Sequence, residues 1–483
     1  MQGSLALEIQ QILPEIVLSL FGIAILIADT CLPRSKRHAS TAIALIAVVT
    51  ASIFALGLIG EDGTFFAGMI IVDGFSLFLR FTFLIVGALT ILASSDYLRR
   101  ENLLVGEYHA LVLFAIVGMN LMAASNELIM IFLGLETLSI SSYILLGVKR
   151  GDPKSNESAL KYFLLGSFSS AFMLYGVALA YGATRTTNLE LIGREILAGS
   201  ASMGLIYAAV GLLFVGFGFK VAVVPFHVWT PDVYEGAPTP VTAFMSVGPK
   251  AAGFAILIRV LLVAFPATYD KWIGLVWISA VLTMALGNVV ALVQSNIKRM
   301  LAYSSIAHAG YILVAVTTGN QEGVAAVLFY LLAYALMNFG AFTIVALVSR
   351  KGDQKVNIDD FTGLGFRQPL LAASLSTFLL SLAGIPLTAG FAGKFFIFRA
   401  AIESNFLWLA IIGVINSAVS VYYYLRVIVV MYMKESTTEE LPYITVSPAA
   451  ASVILLSVCG VLLLGVQPEA LITLARHSAL SFK

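Results

Sequence analysis

The stretch GFGFKVAVVPFH, residues 216–227, decides the fold, because it places Lys220 and Pro225 inside an apolar run long enough to cross a membrane. A lysine near the centre of a bilayer costs about 3 kcal/mol on insertion scales, and a proline removes a backbone donor and disrupts a helix. Freed backbone groups are tolerated in a membrane where protein or water satisfies them. The stretch therefore predicts an interrupted helix beside a hydrated cavity; the alternative is a packing kink without functional water.

The rest of the chain is similarly apolar. Hydrophobic residues make up 59% of the 483 positions and charged residues 11%, against about 25% charged residues in soluble domains. Runs of about 20 apolar residues, enough for one helical crossing, recur along the whole sequence. They predict an all-α polytopic membrane protein with about fourteen transmembrane helices. The predicted spans are 12–32, 41–60, 70–95, 108–124, 126–147, 157–182, 202–226, 238–265, 272–294, 300–318, 322–349, 370–398, 405–433 and 447–466.

Several kinds of site are not expected in this chain. Cys31 and Cys459 are its two cysteines, too few for a four-thiolate iron–sulfur site. It has no GxGxxG motif after a strand and no Walker A motif, so we expect no bound NADH, flavin or ATP. No cluster of His, Asp or Glu has metal-ligand spacing. Nothing predicts a nucleic-acid partner, and the expected surroundings are the lipid bilayer.

The basic residues predict the orientation in the membrane. If the loops are assigned alternately to the two sides, one side carries most of the Lys and Arg, which places that side in the cytoplasm. With an even number of spans, both termini then face outside. The cytoplasmic set is Arg34, Lys36, Arg37, Arg99, Arg100, Lys149, Arg150, Lys154, Lys298, Arg299, Arg350, Lys351, Lys355, Arg367 and Lys434. The outside set is Arg185, Arg194, Lys271, Arg399, Arg476 and Lys483.

Four ionisable residues fall inside predicted spans: Glu136, Lys220, Lys250 and Lys394. Such residues usually face protein or water and mark an ion or proton pathway. The alternative is a lysine near a span end whose ammonium reaches the interface. Glu136 is the acidic residue deepest in any span, and removing the partner of a buried charge is costly. We therefore expect Glu136 to pair with a lysine, and we choose Lys220.

A second stretch, SLAGIPLTAGFAGKFF, again combines apolar residues, glycines, a proline and a lysine, here Pro386 and Lys394. Corresponding interrupted helices in two halves of a chain are typical of transporters built from inverted repeats. Three further residues are secondary candidates for a proton path. His227 and His308 titrate near neutrality, with hydrogen-bonded helix packing as the alternative. Lys161 lies about one turn inside span 6, where its ammonium could instead reach the interface.

The segments VPFHVWTPDVYEGAPTPVTAFMSVGPKAA, NIKRMLAYSSIAHAGY and SLAGIPLTAGFAGKF resemble the antiporter-like membrane subunits of respiratory complex I. WTPDVYEGAPTP is most similar to the subunit N branch, equivalent to mitochondrial subunit 2, and the resemblance covers essentially the whole chain. It implies that spans 4–8 and 9–13 form inverted five-helix repeats, with spans 7 and 12 interrupted. The implied division is a three-helix region at 1–107, repeats at 108–265 and 266–434, and a last span within 435–483.

The resemblance also implies roles for the singled-out residues. Glu136 and Lys220 match the family's glutamate–lysine pair, Lys250 its central lysine and Lys394 its terminal lysine. Lys161 and His308 match polar positions along the family's hydrophilic axis.

The implied function is proton translocation, as one subunit of a translocase in the bacterial cytoplasmic membrane. NADH, FMN, iron–sulfur clusters and quinone would be bound by other subunits, and this chain would hold no redox centre. Its partners would be the other membrane-arm subunits, including paralogous antiporter-like ones. The alternatives are a subunit of a multisubunit sodium/proton antiporter and an inert membrane scaffold. The four buried ionisable residues argue against the scaffold.

Overall fold

The computed structural model describes residues 2–31, 39–103, 106–434, 444–480 and 482, with side chains from residue 7 onward. These residues are almost entirely helical. In chain order the α-helices are α1 Gln2–Gln11, α2 Leu13–Cys31, α3 Ala39–Leu56, α4 Gly74–Arg100, α5 Gly106–Ala124, α6 Leu128–Leu146, α7 Pro153–Thr184, α8 Leu189–Leu197, α9 Met203–Val221, α10 Thr230–Gly236, α11 Thr239–Arg259, α12 Tyr269–Leu292, α13 Ile297–Val316, α14 Gln321–Val348, α15 Leu364–Arg367, α16 Pro369–Ala383, α17 Ala389–Glu403, α18 Leu407–Met433, α19 Pro448–Val466 and α20 Glu469–Leu480. A two-stranded antiparallel hairpin, β1 Gly63–Phe65 and β2 Ile70–Val72, precedes α4.

The predicted all-α membrane fold is confirmed. Within the described residues, 13 helices are long and apolar enough to cross a membrane. One further crossing is divided into the shorter α16 and α17, which gives the fourteen predicted spans. The spans containing α11, α13 and α14 are the most buried, whereas most of α2, α3, α18 and α19 is not. The centre of the bundle is therefore formed by the helices that carry Lys250 and His308, together with α14.

The first predicted interruption follows Lys220. Helix α9 ends at Val221, Ala222 adopts a left-handed conformation with φ 61°, and the chain passes through Pro225 before α10 begins. The backbone groups freed by the break are satisfied by side chains. The Trp229 indole N–H donates to the Phe219 carbonyl at 3.0 Å, and the Val224 N–H donates to Thr283 Oγ1 at 2.9 Å. A broken helix inside the membrane is stable because protein groups replace the lost backbone bonds.

The second interruption lies between α16 and α17. Gly384 ends α16 with φ 87°, a left-handed conformation that glycine adopts without strain. Pro386 lies in the linker, and Lys394 follows in the second turn of α17. A side chain at Gly390 would collide with the Ser381 carbonyl. This glycine therefore allows the two half-helices to approach each other closely.

Some elements differ from the predicted spans. Residues 70–72 form β2, because the Asp73 side chain caps α4 by accepting from the Ser76 N–H at 2.7 Å and so starts the helix later. Helix α7 begins earlier than predicted, at Pro153 after the Asp152 cap. The short helices α1, α8 and α20 were not predicted, because each has too few apolar residues to read as a span.

One prediction extends past the described part of the chain. Arg34, Lys36, Arg37 and Lys483, which enter the charge count, lie outside the described residues. The division into a three-helix region, two repeats and a last span stays a prediction.

Candidate site: a buried row of lysines

The Lys220 ammonium is buried where α9 ends. It donates to Ser139 Oγ on α6 at 2.9 Å and to the Tyr162 hydroxyl on α7 at 3.1 Å. A cavity of about 10 Å³ adjoins it, lined in part by Ser139 and Ser170. That volume is close to the smallest that holds one water molecule. Lys220 is thus surrounded by hydroxyl groups at the end of a helix, where a cation is stabilised by the helix dipole.

Glu136 does not contact Lys220 directly. Its carboxylate accepts from Ser170 Oγ on α7 at 2.5 Å, and it is half-buried on α6. Among the described residues, no salt bridge within 4.0 Å joins the Lys220 ammonium to a carboxylate, so Glu136 and Lys220 form no direct ion pair in this structure, and their partnership stays a prediction. The reason is geometric: Ser139, one turn after Glu136, takes the hydrogen bond from Lys220, while Glu136 points to α7. Ser170, which binds Glu136, lines the small cavity together with Lys220.

Lys250 lies on α11 in the centre of the bundle, 3% exposed. Its ammonium donates to Ser305 Oγ at 2.6 Å and to the Ser305 carbonyl at 3.0 Å, both on α13. The Tyr234 ring lies 5.9 Å away, within range of a cation–π contact. Lys250 is therefore buried without a carboxylate partner among the described residues.

His308 continues the polar groups along α13. Its Nδ1 lies 2.5 Å from the Tyr330 hydroxyl on α14, and its Nε2 lies 3.1 Å from the Tyr424 hydroxyl on α18. Tyr424 also hydrogen-bonds Ser304, the neighbour of the serine that binds Lys250. Both imidazole nitrogens thus contact hydroxyl groups that can donate or accept.

The Lys394 ammonium is buried against the end of α16. It donates to the carbonyls of Leu382 and Ala383 at 2.9 and 3.0 Å and to Ser417 Oγ on α18 at 2.8 Å. These are carbonyls that the helix end leaves without partners, so a cation there caps α16. The Tyr311 ring lies 4.8 Å from the ammonium.

Lys161 is not part of this buried row. Lys161 is 40% exposed and pairs with Glu157 and Asp232, each at 2.7 Å. Arg299 also pairs with Asp232, at 2.8 Å. Partial burial alone would raise the pKa of the Asp232 carboxyl. Hydrogen bonds from Lys161 and Arg299 nevertheless hold this pKa below its usual value. His227 lies half-buried in the linker between α9 and α10.

Most partners of the buried lysines and of His308 were not predicted from the sequence. They are serines and tyrosines on other helices: Ser139, Tyr162, Ser305, Tyr330, Tyr424 and Ser417. Hydroxyl side chains are common in membrane helices, where many bond their own backbone. A serine or tyrosine in a span therefore gives no sequence signal of which helix it faces. Within the described residues, no group of three His, Cys, Asp or Glu side chains could hold a metal ion.

Comparison with known proteins identifies the family. NADH-quinone oxidoreductase subunit N 1 of Solibacter usitatus is 49% identical over 474 residues, covering 98% of this chain and 97% of the relative. The chain belongs to the subunit N family of NADH-quinone oxidoreductase. The profile of the wider family, described as NADH:quinone oxidoreductase/Mrp antiporter, matches residues 125–420. That region contains all four predicted intramembrane residues of the subunit N chain.

Two solved structures share the fold. A chain of respiratory complex I from Thermus thermophilus with bound aureothin superposes with a TM-score of 0.81 at 35% identity, covering 95% of this chain and 99% of its own. A chain of the Mrp complex from Dietzia sp. DQ12-45-1b gives a TM-score of 0.82 at 21% identity, covering 96% and 97%. The second likeness concerns the fold alone. This member of the subunit N family is thus an antiporter-like membrane subunit of the complex I type.

Proposed function

We propose that this chain carries protons across the bacterial cytoplasmic membrane as part of NADH:quinone oxidoreductase. The observation that carries the proposal is the row of Lys220, Lys250 and Lys394. Each is 3–4% exposed, and each is bound by neutral oxygen atoms rather than by a carboxylate. A cation in the membrane interior is expensive and is usually functional. Three of them, spread over α9, α11 and α17, form a path across the centre of the bundle.

The neutral partners suit a lysine that changes its protonation state. A hydroxyl accepts a hydrogen bond from an ammonium and can turn to donate one to a neutral amine. Ser139 and Tyr162 at Lys220, Ser305 at Lys250 and Ser417 at Lys394 all have this property. The lysines thus keep a hydrogen-bond partner before and after losing a proton.

His308 links the two halves of the proposed path. Ser304 and Ser305 are adjacent on α13. Ser305 binds Lys250, and Ser304 hydrogen-bonds Tyr424. Tyr424 in turn contacts His308. A neutral imidazole has one donor and one acceptor nitrogen, so it accepts a proton on one side and releases one on the other. We propose that His308 passes protons between Lys250 and the second half of the chain.

The two interrupted helices open in opposite directions in this proposal. The short helix α10 follows Lys220 and pairs with Arg299 through Asp232 and Glu235, on the side richer in basic residues. A groove of about 600 Å³ borders Lys394 and reaches Arg399 and Glu403 at the far end of α17. Protons would enter from the cytoplasm beside Lys220 and leave outside beside Lys394. Both termini would face outside.

Electron transfer would occur elsewhere. We propose that NADH, FMN, iron–sulfur clusters and quinone are bound by other subunits, since Cys31 and Cys459 are the chain's two cysteines. The chain would work as a subunit of a translocase, and its energy would arrive through neighbouring membrane-arm subunits, including paralogous ones. We propose that Glu136, half-buried on α6, responds to such a neighbour.

The alternative is a subunit of a multisubunit sodium/proton antiporter, which the fold of the Mrp chain allows. Purification of the native assembly separates the two functions. We expect flavin and iron–sulfur subunits to accompany the chain. An assembly without them that exchanges sodium for protons would favour the antiporter.

Glu136→Gln is expected to lower proton pumping more than Glu136→Asp. Glutamine keeps the size of the side chain and an oxygen that can accept from Ser170, but it cannot ionise, whereas aspartate can. Pumping in membrane vesicles, divided by the amount of assembled complex, measures the effect. Glu107→Gln, at an exposed position on α5, is the matched control and should pump normally. Equal pumping by the two Glu136 variants would contradict a role for its charge.

Lys394→Arg is expected to assemble and to pump poorly. The guanidinium keeps the positive charge at the end of α16, but it does not lose its proton at physiological pH. Arg399→Lys is the control. It makes the reverse substitution, arginine to lysine, about one turn further along α17 at a half-exposed position, and it should pump normally. If Lys394→Arg pumps like the parent in the same vesicles, a fixed charge is sufficient and Lys394 does not carry protons.

A further inference from the structure

A second group of buried polar side chains lies among the N-terminal helices, away from the lysine row. Its members are Gln11 on α1, Glu15 on α2, Arg80 on α4 and Asn120 on α5, all between 0% and 4% exposed. Arg80 Nε lies 3.0 Å from Glu15 Oε1. An arginine in an apolar helix is costly unless its donors are satisfied. The proposed proton path uses none of these residues.

The packing of α2 on α5 brings Glu15 and Asn120 to the same height in the membrane. The two helices are antiparallel: a methyl group at Gly106 would touch Asp29, and one at Gly22 would lie 3.0 Å from the Phe114 ring. If the two helices keep this register for about two more turns, from Gly22 back to Glu15, then Glu15 lies within one turn of Asn120. Gln11 is the last residue of α1, four residues before Glu15 and just before the break that starts α2.

Helix α4 also packs on α5 and reaches the same height. A methyl group at Gly87 would collide with Ile116, which sets the register of these antiparallel helices. Arg80, two turns before Gly87, then lies within about one turn of Asn120, a distance that the arginine side chain spans. The ion pair with Glu15 fixes its direction towards α2.

The polar atoms of the group are not satisfied by one another. Eight of them are buried and make no hydrogen bond to any described residue: Gln11 Oε1, Glu15 Oε1 and Oε2, Arg80 Nε, Nη1 and Nη2, and Asn120 Nδ2 and Oδ1. Arg80 Nε and Glu15 Oε1 are close in distance, but the Nε–H bond does not point at that oxygen. Buried polar groups in folded proteins almost always have a partner. This group therefore requires one that the described side chains do not provide.

The chemistry of the eight atoms identifies the partner as water. Donors on Arg80 and Asn120 stand beside acceptors on Glu15 and Gln11. An anion would serve the donors but be repelled by Glu15, and a cation would be repelled by Arg80. Water donates and accepts, and a buried water makes about three hydrogen bonds. We propose that Gln11, Glu15, Arg80 and Asn120 form a buried site for about three water molecules, which joins the N-terminal helices α1, α2 and α4 to α5.

The site connects two parts of the chain. Asn120 follows Met119, whose sulfur would lie 3.0 Å from a methyl group at Gly248, two residues before Lys250. Helix α5 therefore contacts both the water site and the helix that carries Lys250. Loss of the waters would loosen the N-terminal helices from the bundle that holds the lysine row.

The first test is direct. We expect a high-resolution cryo-electron microscopy map of the native membrane assembly to show at least one water density within hydrogen-bond distance of both Arg80 and either Asn120 or Glu15. A map in which Arg80 donates directly to Glu15 and Asn120, without solvent density between them, would overturn the proposal. This test does not depend on the proposed proton transport.

The second test uses Asn120→Leu and measures the temperature at which the chain is lost from the assembly. The direction of the change in this temperature separates a site that holds water from one that does not. In a dry site, leucine of similar size replaces an unsatisfied amide and should raise the temperature at which the chain is lost from the assembly. In a wet site, leucine removes a ligand of waters that also serve Arg80, and that temperature should fall. We expect a fall. Met122→Leu, an apolar change of similar volume on the same helix at a fully buried position, should leave the temperature nearly unchanged.

Discussion

Lys220→Met should lower proton pumping by on the order of a hundredfold, the lower end of what a positioned proton donor or acceptor contributes. Quinone reduction coupled to pumping should fall with it. Methionine is similar in length and apolar, so it can occupy the space beside Ser139 and Tyr162 without leaving a buried charge behind. The chain should therefore still assemble. Pumping in vesicles and the amount of assembled complex measure the two expectations separately.

Lys154→Met provides the control for this variant. Lys154 is 70% exposed, and its weak pair with Glu235 at 3.4 Å is at the surface, where such pairs contribute little. We expect normal pumping from it. Normal pumping by Lys220→Met at a normal level of assembly would remove Lys220 from the proton path. The site would then be a structural lysine at a helix end.

The second large effect concerns stability rather than transport. Arg259→Met should strongly reduce the amount of chain found in the assembly. Arg259 is 1% exposed and donates to both carboxylate oxygens of Asp73 at 3.0 Å, between the rings of Phe75 and Phe482 at 4.9 and 5.2 Å. Its removal leaves a buried carboxylate without its cation, which typically costs about 3–5 kcal/mol.

A double variant tests whether the unpaired charge is the cause. Asp73→Asn removes the negative charge and keeps a side chain that caps α4. Arg259→Met combined with Asp73→Asn should therefore recover much of the assembled complex. Arg476→Met, which breaks a partly exposed pair with Glu322, should leave assembly nearly unchanged. If the double variant assembles no better than Arg259→Met, the loss comes from packing around the guanidinium instead.

Much of the fold could be predicted because a bilayer restricts the choices. A span needs about 20 apolar residues, and the backbone within it must bond internally. Apolar length therefore predicted the crossings, and Pro225 and Pro386 predicted where two of them break. The errors fall at the edges of spans. At β2 and α4, Asp73 starts the helix after an apolar strand, and hydropathy does not separate the two.

The site was predicted in part, for a similar reason. A charged residue in an apolar run is conspicuous, so the sequence pointed to Glu136, Lys220, Lys250 and Lys394. The burial of the three lysines agrees with that expectation. Lys161 also stood inside a predicted span, yet it is 40% exposed and ion-paired. Its position along α7 was correct, but the direction of its side chain was not readable from sequence spacing.

What the sequence determined by itself is the set of crossings, the two interruptions and the lysines beside them, because each depends on local composition. What only the tertiary structure decided is which groups meet. Glu136 faces Ser170 and Lys220 faces Ser139, although the two charges were expected to pair. Tyr330 on α14 and Tyr424 on α18 both reach His308 on α13. Such contacts depend on the rotation and register of packed helices, which the apolar pattern of a membrane span leaves open because lipid and protein interior are both apolar.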